Sequence, residues 1–380
     1  MSAHHPGGAQ PAAGADAVVP LPQPVSRPTH HYFLDRSFTG GAVRPLPYPH
    51  WDHSLPAELR YPYDVLELAL AQVAAQGLNF YFTKNAYSLP EYGPHVVAVL
   101  LQEERCKVPV YGRHVRATLR NLETRPALCC RLHRRIGRLE AVLLFEYARD
   151  WETHLKSRRA ARARARAAAP LLAEPMVITL PLGYHSQDPV PQRPMLERPL
   201  DLFFSGEIRH ALPRWDYRRL TSTSKFIARA QLWGELTRLA RRGRWRLDLG
   251  AVGSRDAGAA RFASYSEKMM HTRICVAPRG SVAETYRAYE GLRAGCLVVT
   301  NRVPPRCALA GAPLLQVDHW RELEEILEHY TARIDRLEAA RRASLAWWEA
   351  HAAVAAQARQ VAAALNAAGG ALGAAATGSA

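Results

Sequence analysis

Residues 273–300 read RICVAPRGSVAETYRAYEGLRAGCLVVT, the pattern of a strand, a loop, a helix and a second strand. An apolar strand over 273–277 stops at Pro278, and Arg279-Gly280 supplies a tight turn. Ser281 and Glu284 stand in S-x-x-E spacing, the signature of a capping box, which predicts a helix over 282–294. Gly295 falls where a helix C-terminal glycine belongs, and an apolar strand over 296–300 begins at once. Such a unit aims the free N–H groups of the first helical turn, and the positive end of the helix dipole, into the loop. The loop is therefore an expected anion site. Gly280 admits a ligand to the backbone, Arg279 adds a full charge, and a nucleotide diphosphate is the natural guest.

The alternation extends in both directions. Downstream of a Pro-rich stretch at 188–194, strands at 200–205, 246–249 and 314–317 interleave with helices at 224–242, 265–271 and 321–337. Upstream, helices at 64–75, 112–122 and 142–168 interleave with strands at 78–82, 95–101, 127–132 and 176–180, and 30–59 reads as ordered but irregular. The nearly unbroken apolar run at 95–101 suits a parallel sheet covered on both faces. Two such series predict an α/β chain of two doubly wound, Rossmann-like domains facing across a cleft, over 29–187 and 195–340. An Ala-rich helix near 343–365, within a 341–366 segment, follows them. The ends, 1–28 and 367–380, lack core-forming residues and read as disordered.

Composition narrows the function. The 380 residues are 48% hydrophobic and carry 50 Lys plus Arg against 34 Asp plus Glu, a formal charge of +16, so the chain is globular and suited to anionic ligands. Five of those cations are Lys, so Arg carries the excess. No apolar run reaches the roughly 20 residues of a membrane span, and the N-terminus lacks a signal-peptide pattern, so a cytoplasmic protein is expected. Six cysteines without a CxxC pair read as reduced thiols, and His30, His31, His50 and His53 match no metal spacing. The basic run at 158–166 reads as a solvated helix end or as a peripheral contact with anions or a membrane surface. No G-x-G-x-x-G follows a strand, which disfavours a dehydrogenase, and no RNA- or DNA-binding signature accompanies the charge.

Glu284, Arg287 and Glu290 recur at three-residue steps. From spacing alone they are a surface ion-pair ladder or, alternatively, a ribose-binding ridge. Residues 275–299 resemble the nucleotide-sugar motif of exostosin-type glycosyltransferases, in which a Pro-Arg-Gly turn leads to Arg-x-x-Glu and then Ala-Gly-Cys. Arg287, Glu290, Ala294, Gly295 and Cys296 fall in its register. Asp201-Leu202-Phe203-Phe204-Ser205-Gly206 is similar to the strand and turn opening that family's C-terminal half, and Lys225 and Arg229 to its phosphate-facing helix start. Val298 replaces a common Pro, which implies a bacterial-like or divergent branch.

The resemblance implies the GT-B architecture and transfer of a sugar from a UDP- or GDP-linked donor to a hydroxyl of a glycan or glycoconjugate. The implied donor site comprises Gly206, Lys225, Arg229, Arg279, Gly280, Ser281, Glu284, Thr285, Arg287 and Glu290, with Glu284 divided between capping and ligand contact. No resident cofactor and no metal are expected, since no DxD-like pair ends a strand. Glu103 and Glu104, just beyond the 95–101 strand, are candidates for a base that deprotonates the acceptor, or else solvated loop carboxylates. A nonenzymatic relative of the same fold, and a basic nucleic-acid-binding protein, are the competing readings.

Overall fold

Strands rich in β-branched and aromatic residues form two sheets in the computed structural model, which describes residues 30–46, 56–123, 125–131, 136–185, 192–208, 223–252 and 259–377. The expected 1–28 lead and most of the 188–194 linker lie outside the described residues. The first sheet contains β1 (His31–Leu34), β2 (Arg44–Pro45), β3 (Asn79–Thr83), β4 (Gly93–Leu100), β5 (Val115–Arg120) and β6 (Val177–Thr179), in the order β2-β1-β3-β4-β5-β6. All its pairings are parallel except the antiparallel edge of β2 on β1.

The second sheet contains β7 (Leu200–Glu207), β8 (Leu247–Val252), β9 (Thr272–Ala277), β10 (Leu297–Asn301) and β11 (Leu314–Val317), all parallel, in the order β11-β10-β9-β7-β8. The chain thus holds two parallel-rich sheets, as the alternating pattern predicts. Helices α1 (Arg36–Thr39), α2 (Arg60–Leu70) and α3 (Arg138–Ala167) accompany the first sheet. Helices α4 (Ser224–Arg242), α5 (Ala259–Met270), α6 (Tyr286–Arg293) and α7 (Leu323–Thr331) accompany the second. Among the described residues no helix is long and apolar enough to cross a membrane. All six cysteines are free thiols, with Cys275, Cys296 and Cys307 buried. In the basic run, Arg164 stacks 4.1 Å from the Tyr92 ring centroid, while Arg158, Arg159, Arg162 and Arg166 are exposed.

Several local expectations are overturned. The helix expected over 112–122 is β5, every residue of which is buried between β4 and β6. Its two arginines disguise it. Arg116 donates to Leu365 O at 3.0 Å, and Arg120 donates to Leu122 O, Lys107 O and Glu123 O, so each buried guanidinium is met by carbonyls. Residues 127–131, expected as a strand, are irregular, whereas β1 adds a strand where none was expected. Sheet pairing outweighs local propensity in these segments.

The helix expected over 321–337 breaks where Arg333 is extended (φ −136°), and α8 (Ile334–His351) starts after it. The single Ala-rich helix expected over 343–365 is likewise two. It breaks at Ala352, whose carbonyl accepts the Tyr61 hydroxyl at 2.6 Å, and α9 (Val354–Thr377) follows. α9 crosses back to the first sheet: Asn366 accepts from Ala74 N at 2.9 Å and donates to Gln72 O at 3.0 Å. The 367–380 tail is a correction too, since 367–377 continue α9 and Ala368 is buried. Alanine's helix propensity extends the helix, and its small side chain permits close packing. One apolar core runs from Phe80, Val97 and Leu119 of the first sheet, through Val361 and Leu365, to Tyr289 and Leu292 beneath the second.

Candidate active site

The second sheet reverses its strand order at β7, which pairs with β8 on one side and β9 on the other. Carboxyl ends of strands at such a reversal leave a crevice where ligands bind. A cavity of about 570 Å³ opens there, lined by Ser205 and Gly206 of β7, Asp248 and Gly250 of β8, and the loop after β9. Gln102, Glu104, Leu122, Leu182 and His185 close it from the side of the first sheet. Its volume is that of a small-molecule site.

The loop before α6 differs from the sequence expectation. The helix begins at Tyr286, four residues late, and its N-cap is Thr285, which makes no side-chain cap hydrogen bond. The Ser281–Glu284 capping box does not form, because Glu284 turns inward and accepts the Tyr289 hydroxyl at 2.7 Å. Burial pushes its carboxyl up to about 7; the Tyr289 hydrogen bond opposes that shift and the nearby Glu123 adds to it. Gly280, Ser281 and Thr285 line the cavity, so the loop still presents its backbone there. The helix end is as expected: Gly295 is left-handed (φ +68°), its N–H reaches Leu292 O at 3.0 Å, and Cys296 N reaches Gly291 O at 2.8 Å.

Arg287 and Glu290 are half-buried and line the cavity rather than forming an exposed ladder. Arg287 Nε donates to the Tyr265 hydroxyl at 3.0 Å and Nη2 donates to Ser205 O, while the guanidinium stacks 4.8 Å from the Phe204 ring centroid. Gly206 makes room for this: a methyl group there would sit 3.0 Å from Arg287 Nη2. Glu290 Oε1 accepts His185 N at 3.1 Å, which ties the first half of the chain to α6. The His185 ring lies 3.8 Å from the Tyr286 ring, centroid to centroid.

Lys225 and Arg229, one turn apart at the start of α4, line the same cavity. Lys268 of α5 also lines it, paired with Asp248 at 2.8 Å. The sequence reading missed Lys268, Asp248, Tyr265, Gln102 and His185. Gly250 was within reach of the argument that found Gly206, since the strand expected over 246–249 also runs straight into a glycine, and Asp248 lies on that strand. Lys268, Gln102 and His185 have no local signal, because tertiary packing alone carries them to the crevice.

Two expected site residues stand elsewhere. Arg279 does not line the large cavity; its backbone N–H is held by Asn301 Oδ1 at 3.1 Å, and its side chain enters a second cavity of about 150 Å³. There it is 5% exposed and 3.9 Å from Glu146. Glu103 faces this second cavity as well, but its carboxylate accepts Arg105 N at 3.2 Å and Lys107 N at 2.7 Å and pairs with Lys107 Nζ at 3.1 Å. Those bonds organise the loop. Glu104 is exposed and lines both cavities, as does Glu284.

Comparison with known proteins bears on the second half. Residues 254–363 match the family model of the RXYLT1 C-terminal domain, a domain of an exostosin-related glycosyltransferase family. No curated protein matches the chain. A solved structure described as the crystal structure of the GtfA/B complex aligns with 86% of this chain at 11% identity and a TM-score of 0.36. The alignment spans 63% of that structure's chain. The segment matched by the RXYLT1 C-terminal domain contains the loop, α6 and the Ala-Gly-Cys turn that line or support the large cavity, and in this segment the chain is similar to an exostosin-related glycosyltransferase.

Proposed function

We propose that the protein transfers a glycosyl group from a UDP- or GDP-linked sugar to a hydroxyl of a glycan or glycoconjugate, with the donor in the large cavity. The observation that carries this reading is the convergence of Gly280, Ser281, Thr285, Lys225, Arg229 and Lys268 on one crevice at the strand reversal. In this reading Glu290 accepts the ribose hydroxyls, and Arg287 positions the end of β7 through Ser205 O. As the glycosidic bond breaks, negative charge grows on the diphosphate. The loop N–H groups and the three cations stabilise it there, the role a metal ion plays in other transferases. The acceptor oxygen bonds to the anomeric carbon, and the bond from that carbon to the diphosphate oxygen breaks with its electron pair. The acceptor's proton passes to a carboxylate at the meeting of the two cavities, Glu104 or Glu284.

A thermal-shift and calorimetric panel of UDP, GDP, ADP and CMP with their sugar conjugates tests the reading, with and without EDTA. UDP or GDP should bind equally well in both conditions and stabilise the fold by about 2.7 kcal/mol at a hundredfold excess over Kd. Loss of binding in EDTA, restored by Mg²⁺ or Mn²⁺, contradicts the metal-free scheme.

A further inference from the structure

Arg279 carries an unexplained feature. Its guanidinium is buried, yet Nε and Nη1 donate to no acceptor among the described residues. A guanidinium cannot shed its proton, and buried donors of a charged group are rarely left without a partner. Asp150 of α3 lines the same second cavity; its Oδ1 is buried and accepts no hydrogen bond among the described residues, with Arg105 Nη1 3.8 Å away. Donors and an acceptor without hydrogen-bond partners thus belong to residues that line one small chamber.

We infer that this second cavity seats one neutral, polyhydroxylated sugar unit of the acceptor, held between Arg279 and Asp150. The inference rests on the glycosyl-transfer reading above. A hydroxyl group both donates and accepts, so a polyol suits the two orphan guanidinium nitrogens and the carboxylate oxygen at once. An anion meets Arg279 but faces carboxyl groups from Glu103, Glu123, Glu146 and Asp150. A cation suits those carboxyls but leaves the N–H groups of Arg279 without an acceptor and approaches four arginines in the cavity wall. An apolar group satisfies neither side. At about 150 Å³, against about 570 Å³ for the donor cavity, the chamber suits a single sugar unit better than a nucleotide. Glu104, Leu122, Ser281, Val282 and Glu284 line both cavities, so a hydroxyl seated here lies next to the donor.

The test measures nucleotide release from UDP- and GDP-sugars by the whole chain. It is run alone, with neutral methyl pyranosides, and with the matching sugar phosphates and amino sugars. At least one neutral methyl pyranoside should accelerate release tenfold or more. Asp150→Asn and Arg279→Lys should each raise the KM for that pyranoside at least tenfold, while calorimetric Kd for the nucleotide stays within twofold and a melting curve shows each variant folded. Nucleotide binding without stimulation by any neutral probe overturns the inference, as does stimulation by the phosphorylated or aminated probes alone. An unchanged KM in whichever variant folds overturns it as well. Failure of wild-type protein to bind UDP or GDP is a separate result: it removes the donor reading, and this inference with it.

Discussion

The two sheets share parallel pairing and differ in how the chain winds through them. In the second sheet β7 is entered first, and its neighbours are then added on opposite sides, so the crossovers leave the sheet on opposite faces. In the first sheet the parallel strands β1, β3, β4, β5 and β6 follow one another in one direction, and the strand on the other side of β1 is the short antiparallel β2. A reversal splays the connections apart and opens a crevice; a one-way order closes them. The second half therefore supplies most of the large cavity's wall, and the first half supplies its cover. The topology of each half thus matches its part in the large cavity.

The largest effect expected from breaking this division comes from Arg287→Ala. It strips Ser205 O and the Tyr265 hydroxyl of their donor at the strand reversal. A stability loss of about 2–4 kcal/mol should appear in melting curves, with nucleotide binding abolished. A stable variant with wild-type affinity would show that the reversal does not shape the site.

Glu284→Gln probes the seam of the two cavities. The folded carboxyl titrates near 7 against an ordinary value of 4.5, so the folded state binds the proton more tightly than the unfolded chain. Wild-type stability should accordingly fall as pH rises from about 4.5 to about 7, and level off above it. Gln carries no such charge. The variant should match wild type near pH 4 and exceed it by about 3 kcal/mol at pH 8, as denaturant titrations at each pH would record. A constant gap would deny the buried position of this carboxyl.

Glu290→Gln separates two tasks at the junction of the halves. The amide oxygen can still accept His185 N, so the tether between halves persists while the charged acceptor for ribose is lost. Nucleotide affinity should drop roughly ten- to a hundredfold with melting temperature nearly constant. A melting shift with unchanged affinity would make Glu290 a tether alone. Lys268→Ala sharpens the contrast further. It should weaken nucleotide binding several-fold, most at low ionic strength, because the lost contribution is Coulombic. It also leaves Asp248 unpaired at the cavity wall.

The smallest effect belongs to the first half. Removing 367–380 cuts into α9 and takes away buried Ala368, which lies beyond the Arg116–Leu365 and Asn366 contacts. A loss of about 1 kcal/mol, a few degrees in Tm, is expected with nucleotide affinity intact. No change in Tm would mean that the last turns of α9 add nothing to the first sheet.

How much was legible differs between the halves for a physical reason. In the second half, α4 and β11 fall at their expected residues, and β7, β9 and β10 within a residue or two. These elements announce themselves by uninterrupted apolar strands, by Gly295 at a helix end, and by a turn built on Pro278 and Gly280. In the first half, β5 hides behind Arg116 and Arg120, whose charges are met by carbonyls distant in sequence or beyond the strand's end. The capping-box spacing of Ser281 and Glu284 is present but unused: Glu284 has a second partner, Tyr289, visible only once the helix is packed.

Sequence alone determined that the chain carries two parallel α/β series, that a turn with Gly280 before α6 offers backbone donors, and that Arg287 and Glu290 share one side of α6. These features follow from local periodicity and from spacing within one helix, and the chain need not be folded to express them. Tertiary structure decided that Arg279 leaves the donor cavity for the second one, that Lys268 and His185 enter the first, and that α9 returns to the first sheet. Each of those outcomes depends on where a side chain meets elements far away in sequence. Burial, strand order and carbonyl partners are properties of the assembled fold, and no window of neighbouring residues encodes them.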